Sequence, residues 1–258
     1  MQDPDAAIDL SIVAPAHNEQ DNVDGLVDEV AAALRPTGLR FELILIDDGS
    51  TDATVERVRQ RMAAGCDWLS VHRLVTPAGR GLGPAAGYRA GILKARGELI
   101  AIIDADRQND PNDLPVMVHA LREQDIDLVQ GDRSANRRDT FVRRVSSAVG
   151  RGFRRAILGD DIRDSACAIR VMRREMALAL PFEMRGMQRF TAYVARMMGY
   201  AVIQVPVNHR PRVAGKAKFG VWNRALPGLI DLIGVRWMKS RWQQIRTQEE
   251  PVSRAGSL

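Results

Sequence analysis

The chain has 258 residues, 45% hydrophobic and 27% charged, which suits one large α/β domain or two small ones and excludes wholesale disorder. Two cysteines, Cys66 and Cys167, are too few for a disulfide scaffold and suit reduced thiols in a cytosolic setting. The net charge of +5 divides unevenly: residues 1–132 hold 12 Lys and Arg against 23 Asp and Glu, and residues 133–258 hold 25 against 9.

An acidic front half speaks against a nucleic-acid partner. A basic back half suits an anionic one, whether a phosphorylated substrate, a membrane surface or both. A plain solvated basic face is the alternative.

The opening MQDPDAAIDL is acidic and lacks the positive n-region of a signal peptide. Short apolar runs then follow at residues 10–14, 41–46, 68–74 and 99–103, each bounded by turn or polar residues, and read as strands. Between the first two, Val23, Leu26, Val27, Val30 and Leu34 recur at helical spacing, as do Val55, Val58 and Met62 further on. A third helix is expected over residues 84–95, with Pro84 in its first turn. Alternation of this kind predicts a mostly parallel sheet with helices on both faces.

Two strand ends run into acidic clusters: Asp47-Asp48-Gly49-Ser50 and Asp104-Ala105-Asp106-Arg107-Gln108. Ligands of open α/β sheets bind beyond the carboxyl ends of strands, so carboxylates there are expected to face a ligand rather than the core. On a continuing strand Asp104 and Asp106 would share a face. Two hard oxygen ligands, with Gln108 adding a carbonyl, suit Mg²⁺ or Mn²⁺. The pattern alone equally fits a solvated turn. The run Gly79-Arg80-Gly81-Leu82-Gly83-Pro84 has neither the place nor the spacing of a dinucleotide fingerprint. It reads as a loop packed closely on a nucleotide or on the sheet, or as a simple turn.

The back half is less regular. Phe141, Val145, Ala148, Val149, Phe153 and Ile157 make an apolar stripe, interleaved with Arg143, Arg144, Arg151, Arg154 and Arg155. Such a helix either lies in a membrane interface or packs on its own domain. Residues 221–242 repeat the pattern, with Trp222, Leu226, Leu229, Ile230, Ile233, Trp237 and Trp242 beside Arg224, Arg236, Lys239 and Arg241. No stretch reaches the roughly 20 apolar residues of a spanning helix; residues 225–235 are interrupted by Pro227, Gly228 and Asp231.

Several motifs in order resemble family 2 glycosyltransferases, and within them the polyprenol-phosphate (dolichol-phosphate mannosyltransferase-like) sugar transferases. They are Ala14-Pro15-Ala16-His17-Asn18-Glu19, Asp47-Asp48-Gly49-Ser50 and Asp104-Ala105-Asp106-Arg107-Gln108-Asn109-Asp110-Pro111. Gly131-Asp132-Arg133, Arg137-Arg138-Asp139, Asp164-Ser165-Ala166-Cys167, the stretch Pro206–Arg212 and Gly215–Gly220 follow in the back half.

The resemblance implies a GT-A fold over residues 8–218, with a nucleotide and metal half to about 132 and an acceptor half from 133. The amphipathic pattern itself predicts membrane-associating helices over 219–245, and polar composition a disordered tail over 246–258. The implied activity is inverting transfer of a sugar from a UDP- or GDP-linked donor to a polyprenyl phosphate. The enzyme would sit peripherally on the cytoplasmic face of the membrane. By the same resemblance Pro15, Glu19 and Asp48 would hold base and ribose, and Asp104, Asp106 and Gln108 the Mg²⁺ or Mn²⁺. Arg133, Arg143, Arg212 and Lys218 would meet phosphates, with Asp164 near the acceptor or behind an arginine. Transfer to a non-lipid or polysaccharide acceptor, or a non-catalytic basic membrane-binding module on the same scaffold, are the competing readings.

The chain departs from the family pattern at His17 (usually Tyr), Ala78 (Asn), Arg107 (Leu), Gln188 (His) and Ala217 (Ser). Lone histidines such as His17 and His209 are expected to be structural, and Cys167 a packed small side chain.

Overall fold

The chain alternates β1 (Leu10–Ala16), α1 (Val23–Leu34), β2 (Phe41–Asp47), α2 (Thr54–Ala63), β3 (Leu69–Arg73), α3 (Pro84–Lys94) and β4 (Leu99–Ile102). This is the order expected from the apolar runs. The second half adds α4 (Asp113–Glu123), β5 (Leu128–Asp132), α5 (Phe141–Leu158), β6 (Arg170–Arg173), α6 (Arg174–Ala179), α7 (Thr191–Met197), β7 (Val202–Pro206) and α8 (Trp222–Arg241). The computed structural model describes residues 7–76, 81–134, 141–211 and 222–244, except the side chains of residues 141–147, 149 and 222–226.

All the strands join one seven-stranded sheet in the order β3-β2-β1-β4-β6-β5-β7. Every neighbouring pair is parallel except the two that β6 makes. Period-two alternation divides the core between the two faces. Leu10, Ile12 and Ala14 of β1 pack with α1 and α4, while Val13, Ile44, Ile46, Ile100 and Ile102 pack with α3, α6 and α7.

Helix α3 approaches β1 unusually closely. A Cβ at Gly87 would stand 2.8 Å from Pro15 Cβ, and one at Gly91 would stand 2.2 Å from Val13 Cγ1. Helix α8 docks through Leu232 and Val235, and its Asp231 accepts from Arg189 Nη1 at 3.0 Å. Its Arg236 and Lys239 donate to the carbonyls of Ile157 and Leu158, which end α5 and lack partners within the helix. Two cations expected to meet a membrane therefore help fasten one helix to the other.

Candidate active site

Because six strands run the same way, the ends of β1, β2, β4, β5 and β7 lie along one edge. The antiparallel β6 brings its beginning there, with Arg170 paired to Ile102.

The end of β2 shows two carboxylates with different duties. Asp47 is fully buried, accepts from Ser50 N at 3.0 Å and pairs with Arg73 Nε at 2.6 Å. It anchors the turn from inside the fold, where the expectation for that position was an outward-facing carboxylate. Asp48 accepts from the amides of Leu82 (2.7 Å) and Gly83 (2.8 Å), just where α3 begins. These are charge-assisted bonds to backbone donors at a helix N-terminus. The Gly-rich run packs on this carboxylate: a Cβ at Gly81 would meet Asp48 Oδ2 at 2.7 Å. Gly83 has φ of 94°, a region that favours glycine. Ala78, Gly79 and Arg80 lie outside the described residues.

Pro15, next to last in β1 and paired with Ile46, lies against Gly87 of α3. Nδ1 of His17 donates to the Asp48 carbonyl at 2.7 Å, the structural role expected of a lone histidine. Glu19 accepts from Asn22 Nδ2 at 2.7 Å, and its amide donates to Thr54 Oγ1 at 2.8 Å.

Strand β4 ends at Ile102, so Asp104 and Asp106 do not sit on one face of a continuing strand as expected. Asn109 Oδ1 accepts from Asp104 N at 2.9 Å, and Asp106 Oδ1 accepts from Gln108 N at 3.2 Å. Side-chain acceptors replace the ladder and turn the chain. Arg107 completes the turn with φ of 60°. Tyr88 lies buried nearby; burial first, then the charge of Asp104, pushes its phenol well above the ordinary value and keeps it neutral.

Beyond β5, Arg133 and Asp164 form a bidentate pair, Nε–Oδ2 at 2.7 Å and Nη2–Oδ1 at 3.1 Å. The Asp164 carboxylate also accepts from Arg133 N at 3.2 Å. Burial opposes the Arg133 charge, but the Asp164 bond and the charges of Asp164 and Asp104 overcome it, so the guanidinium stays protonated. Asp164 is thus the partner that aims an arginine. Cys167 packs beside this pair, and burial pushes its thiol up to about 12.

Arg170, also buried, went unnoticed in the sequence. It donates to the carbonyls of Ala168, Cys167 and Gln188 and lies 5.8 Å from the Tyr88 ring. Its partners are backbone atoms, which carry no sequence signal. The Arg143 side chain, Arg137, Arg138, Asp139, Arg212, Ala217 and Lys218 lie outside the described residues.

Asp104 and Asp106 could hold a divalent cation. Among the described residues no three His, Cys, Asp or Glu side chains are grouped to cage one. That donor set fits a hard cation that takes one or two carboxylates and completes its shell with substrate phosphate and water.

The sequence profile of glycosyl transferase family 2 matches residues 11–180. The chain belongs to that family. Among curated relatives of this family 2 chain, the dodecaprenyl-phosphate galacturonate synthase of Rhizobium johnstonii is 36% identical over 235 residues, covering 90% of this chain and 68% of its own. The undecaprenyl-phosphate 4-deoxy-4-formamido-L-arabinose transferase of Yersinia pestis is 30% identical over 224 residues, covering 87% and 66%. This family 2 chain thus spans about two thirds of the length of those relatives. A mannosyltransferase from Pyrobaculum calidifontis, solved with GDP-Man and Mn²⁺, superposes with a TM-score of 0.64 at 20% identity, covering 90% of this chain and 65% of that one. Glucosyl-3-phosphoglycerate synthase from Mycobacterium tuberculosis, solved with Mn²⁺ and UDP, gives 0.64 at 22%, covering 88% and 80%. The fold is GT-A, as expected.

Proposed function

We propose that the chain moves a sugar, with inversion, from a nucleotide-sugar to a polyprenyl phosphate. The relatives named for dodecaprenyl and undecaprenyl phosphate support the acceptor class. The observation that carries the reading is the meeting, at one sheet edge, of the Asp104–Asp106 turn with an arginine aimed by Asp164.

Asp104 and Asp106 would hold Mg²⁺ or Mn²⁺, with Gln108 as a further oxygen donor; that cation supplies charge against the departing nucleoside diphosphate. Pro15, Glu19 and Asp48 would border the base and ribose. A phosphate monoester is already anionic at neutral pH, so its attack on the sugar needs no general base. It needs cations that offset repulsion between two anionic substrates. In Arg133, Nε and Nη2 are committed to Asp164, so the guanidinium presents its Nη1 edge in a fixed direction. Arg143, Arg212 and Lys218 would add positive charge from the basic half. Residues 8–132 would then serve donor and metal, and residues 133–218 the acceptor.

The region 219–245 would supply contact with an anionic membrane surface from the cytoplasmic side. Helix α8 is apolar on both sides: Leu232 and Val235 face the core, while Leu229, Ile230, Ile233 and Trp237 form an exposed arc, the last two 59% and 62% accessible. Phe153 of α5 is exposed as well. No helix among the described residues is long and apolar enough to cross a membrane.

Incubation with Mn²⁺, a UDP- or GDP-linked sugar and undecaprenyl phosphate tests the reading. Nucleoside diphosphate release that depends on the lipid phosphate supports it. Release onto a soluble or polysaccharide acceptor alone overturns the acceptor assignment.

A further inference from the structure

The turn that carries Asp104 and Asp106 is sewn to the segment that follows β7. Asn109 and His209 form a β-bridge, and Arg210 N donates to Gln108 O at 3.0 Å. Asn208 N and Nδ2 donate to the two Asp113 oxygens at 2.8 and 3.2 Å. Arg210 Nη2 pairs with Asp110 Oδ1 at 2.6 Å.

Both partners reach a third body through one carboxylate. Glu29, half-buried on α1, accepts from Arg107 Nη2 at 2.5 Å and Nε at 3.2 Å through Oε1, and pairs through Oε2 with Arg210 Nη1 at 3.1 Å. Arg107 reaches it across Gly25, where a Cβ would lie 2.3 Å from the Arg107 Cζ atom. The positive φ at Arg107 and the missing side chain at Gly25 both serve this contact. Arg107 stands between Asp106 and Gln108, and Arg210 stands two residues before Arg212.

We propose that Glu29 is a positioning residue that clasps the carboxylate turn and the post-β7 segment to α1, so one side chain places the donor and acceptor sites against that helix. The proposal rests on the functional reading above for the words donor and acceptor; the clasp itself rests on geometry. A carboxylate shared between two guanidiniums couples them, because moving either one alters the field that holds the other.

Backbone hydrogen exchange on the full chain tests it, with peptides covering residues 103–112 and 205–211. In Glu29→Gln, which keeps the shape and removes the charge, both peptides exchange at least about tenfold faster, since Arg107 loses its carboxylate and Arg210 is left with Asp110 alone. In Arg107→Leu only residues 103–112 loosen, because Arg210 keeps Glu29. Glu29→Gln also raises KM for nucleotide-sugar and polyprenyl phosphate together, roughly fivefold to twentyfold, with kcat held within about threefold. Unchanged exchange in Glu29→Gln, loosening of one peptide alone, or a fall in kcat with both KM values intact overturns the proposal. If the wild-type chain transfers no sugar to a lipid phosphate, the functional reading falls, and the exchange pattern still decides the clasp.

Discussion

The two sides of the sheet edge hold their charges by different means. On the β1–β2 side, Asp48 is held by the amides of Leu82 and Gly83, donors that any sequence supplies once the turn forms. On the β5–β6 side, Arg133 depends on one carboxylate, Asp164, and Arg170 on carbonyls of residues 167, 168 and 188. Backbone anchorage needs no particular partner side chain, only the glycines at 81 and 83 that let the turn close. Side-chain anchorage fails when a single partner changes, so the Arg133–Asp164 pair is the more fragile of the two.

The comparison is tested hardest at the carboxylates between the two sides. Asp106→Ala is expected to lower turnover about 10²–10³-fold, with the melting temperature nearly unchanged; steady-state kinetics beside a thermal melt checks this. Unchanged turnover would remove the metal assignment.

Next in size is Asp164→Ala, which strands a buried guanidinium and should destabilise the fold by about 3–5 kcal/mol, read by urea unfolding. Asp48→Ala on the opposite side leaves two amides that water can reach, and should cost only about 1–3 kcal/mol. Equal costs at the two positions would erase the distinction drawn here.

Replacing Ile230, Ile233 and Trp237 together with Ser should abolish sedimentation with vesicles of phosphatidylglycerol, since each large apolar side chain is worth about 1.5–3 kcal/mol. The fold should survive, because Leu232 and Val235 make the inward contact. The smallest effect concerns the thiols. Burial lifts Cys167 to about 12, so its thiolate is scarce at pH 8 and reactive only as pH climbs toward that value. Iodoacetamide at pH 8 should modify the partly exposed Cys66 and spare Cys167 in the folded chain, as mass spectrometry would show.

The nucleotide side was legible because its signals are local. Runs such as Leu-Ile-Leu-Ile in β2 end at Asp and Gly, and the apolar positions of α1 repeat at helical spacing. The far side of the sheet hides its strands: β6 is four residues with Arg at each end, and β5 and β7 carry Gln in mid-strand. Their pairing comes from chain segments far apart, which periodicity cannot report. At the carboxylate turn the pattern placed Asp104 and Asp106 at the right strand end. Their mutual geometry was misread, because a side chain five residues on, Asn109, takes the hydrogen bond a continuing strand would have used. Glu29 could not be found by motif at all, since its meaning comes from two arginines separated from it by 78 and 181 positions.

The reversed direction of β6 carries a consequence for how this protein can change. Flanked by β4 and β5 yet running against both, it delivers residues 164–170 to the ligand edge as chain arriving rather than chain departing. The stretch between β5 and β6 can therefore be rewritten, lengthened or exchanged without shifting the register of β1, β2 and β4. Under the proposed function, a lineage would thereby alter what it glycosylates while leaving the Asp48 and Asp104–Asp106 turns in place.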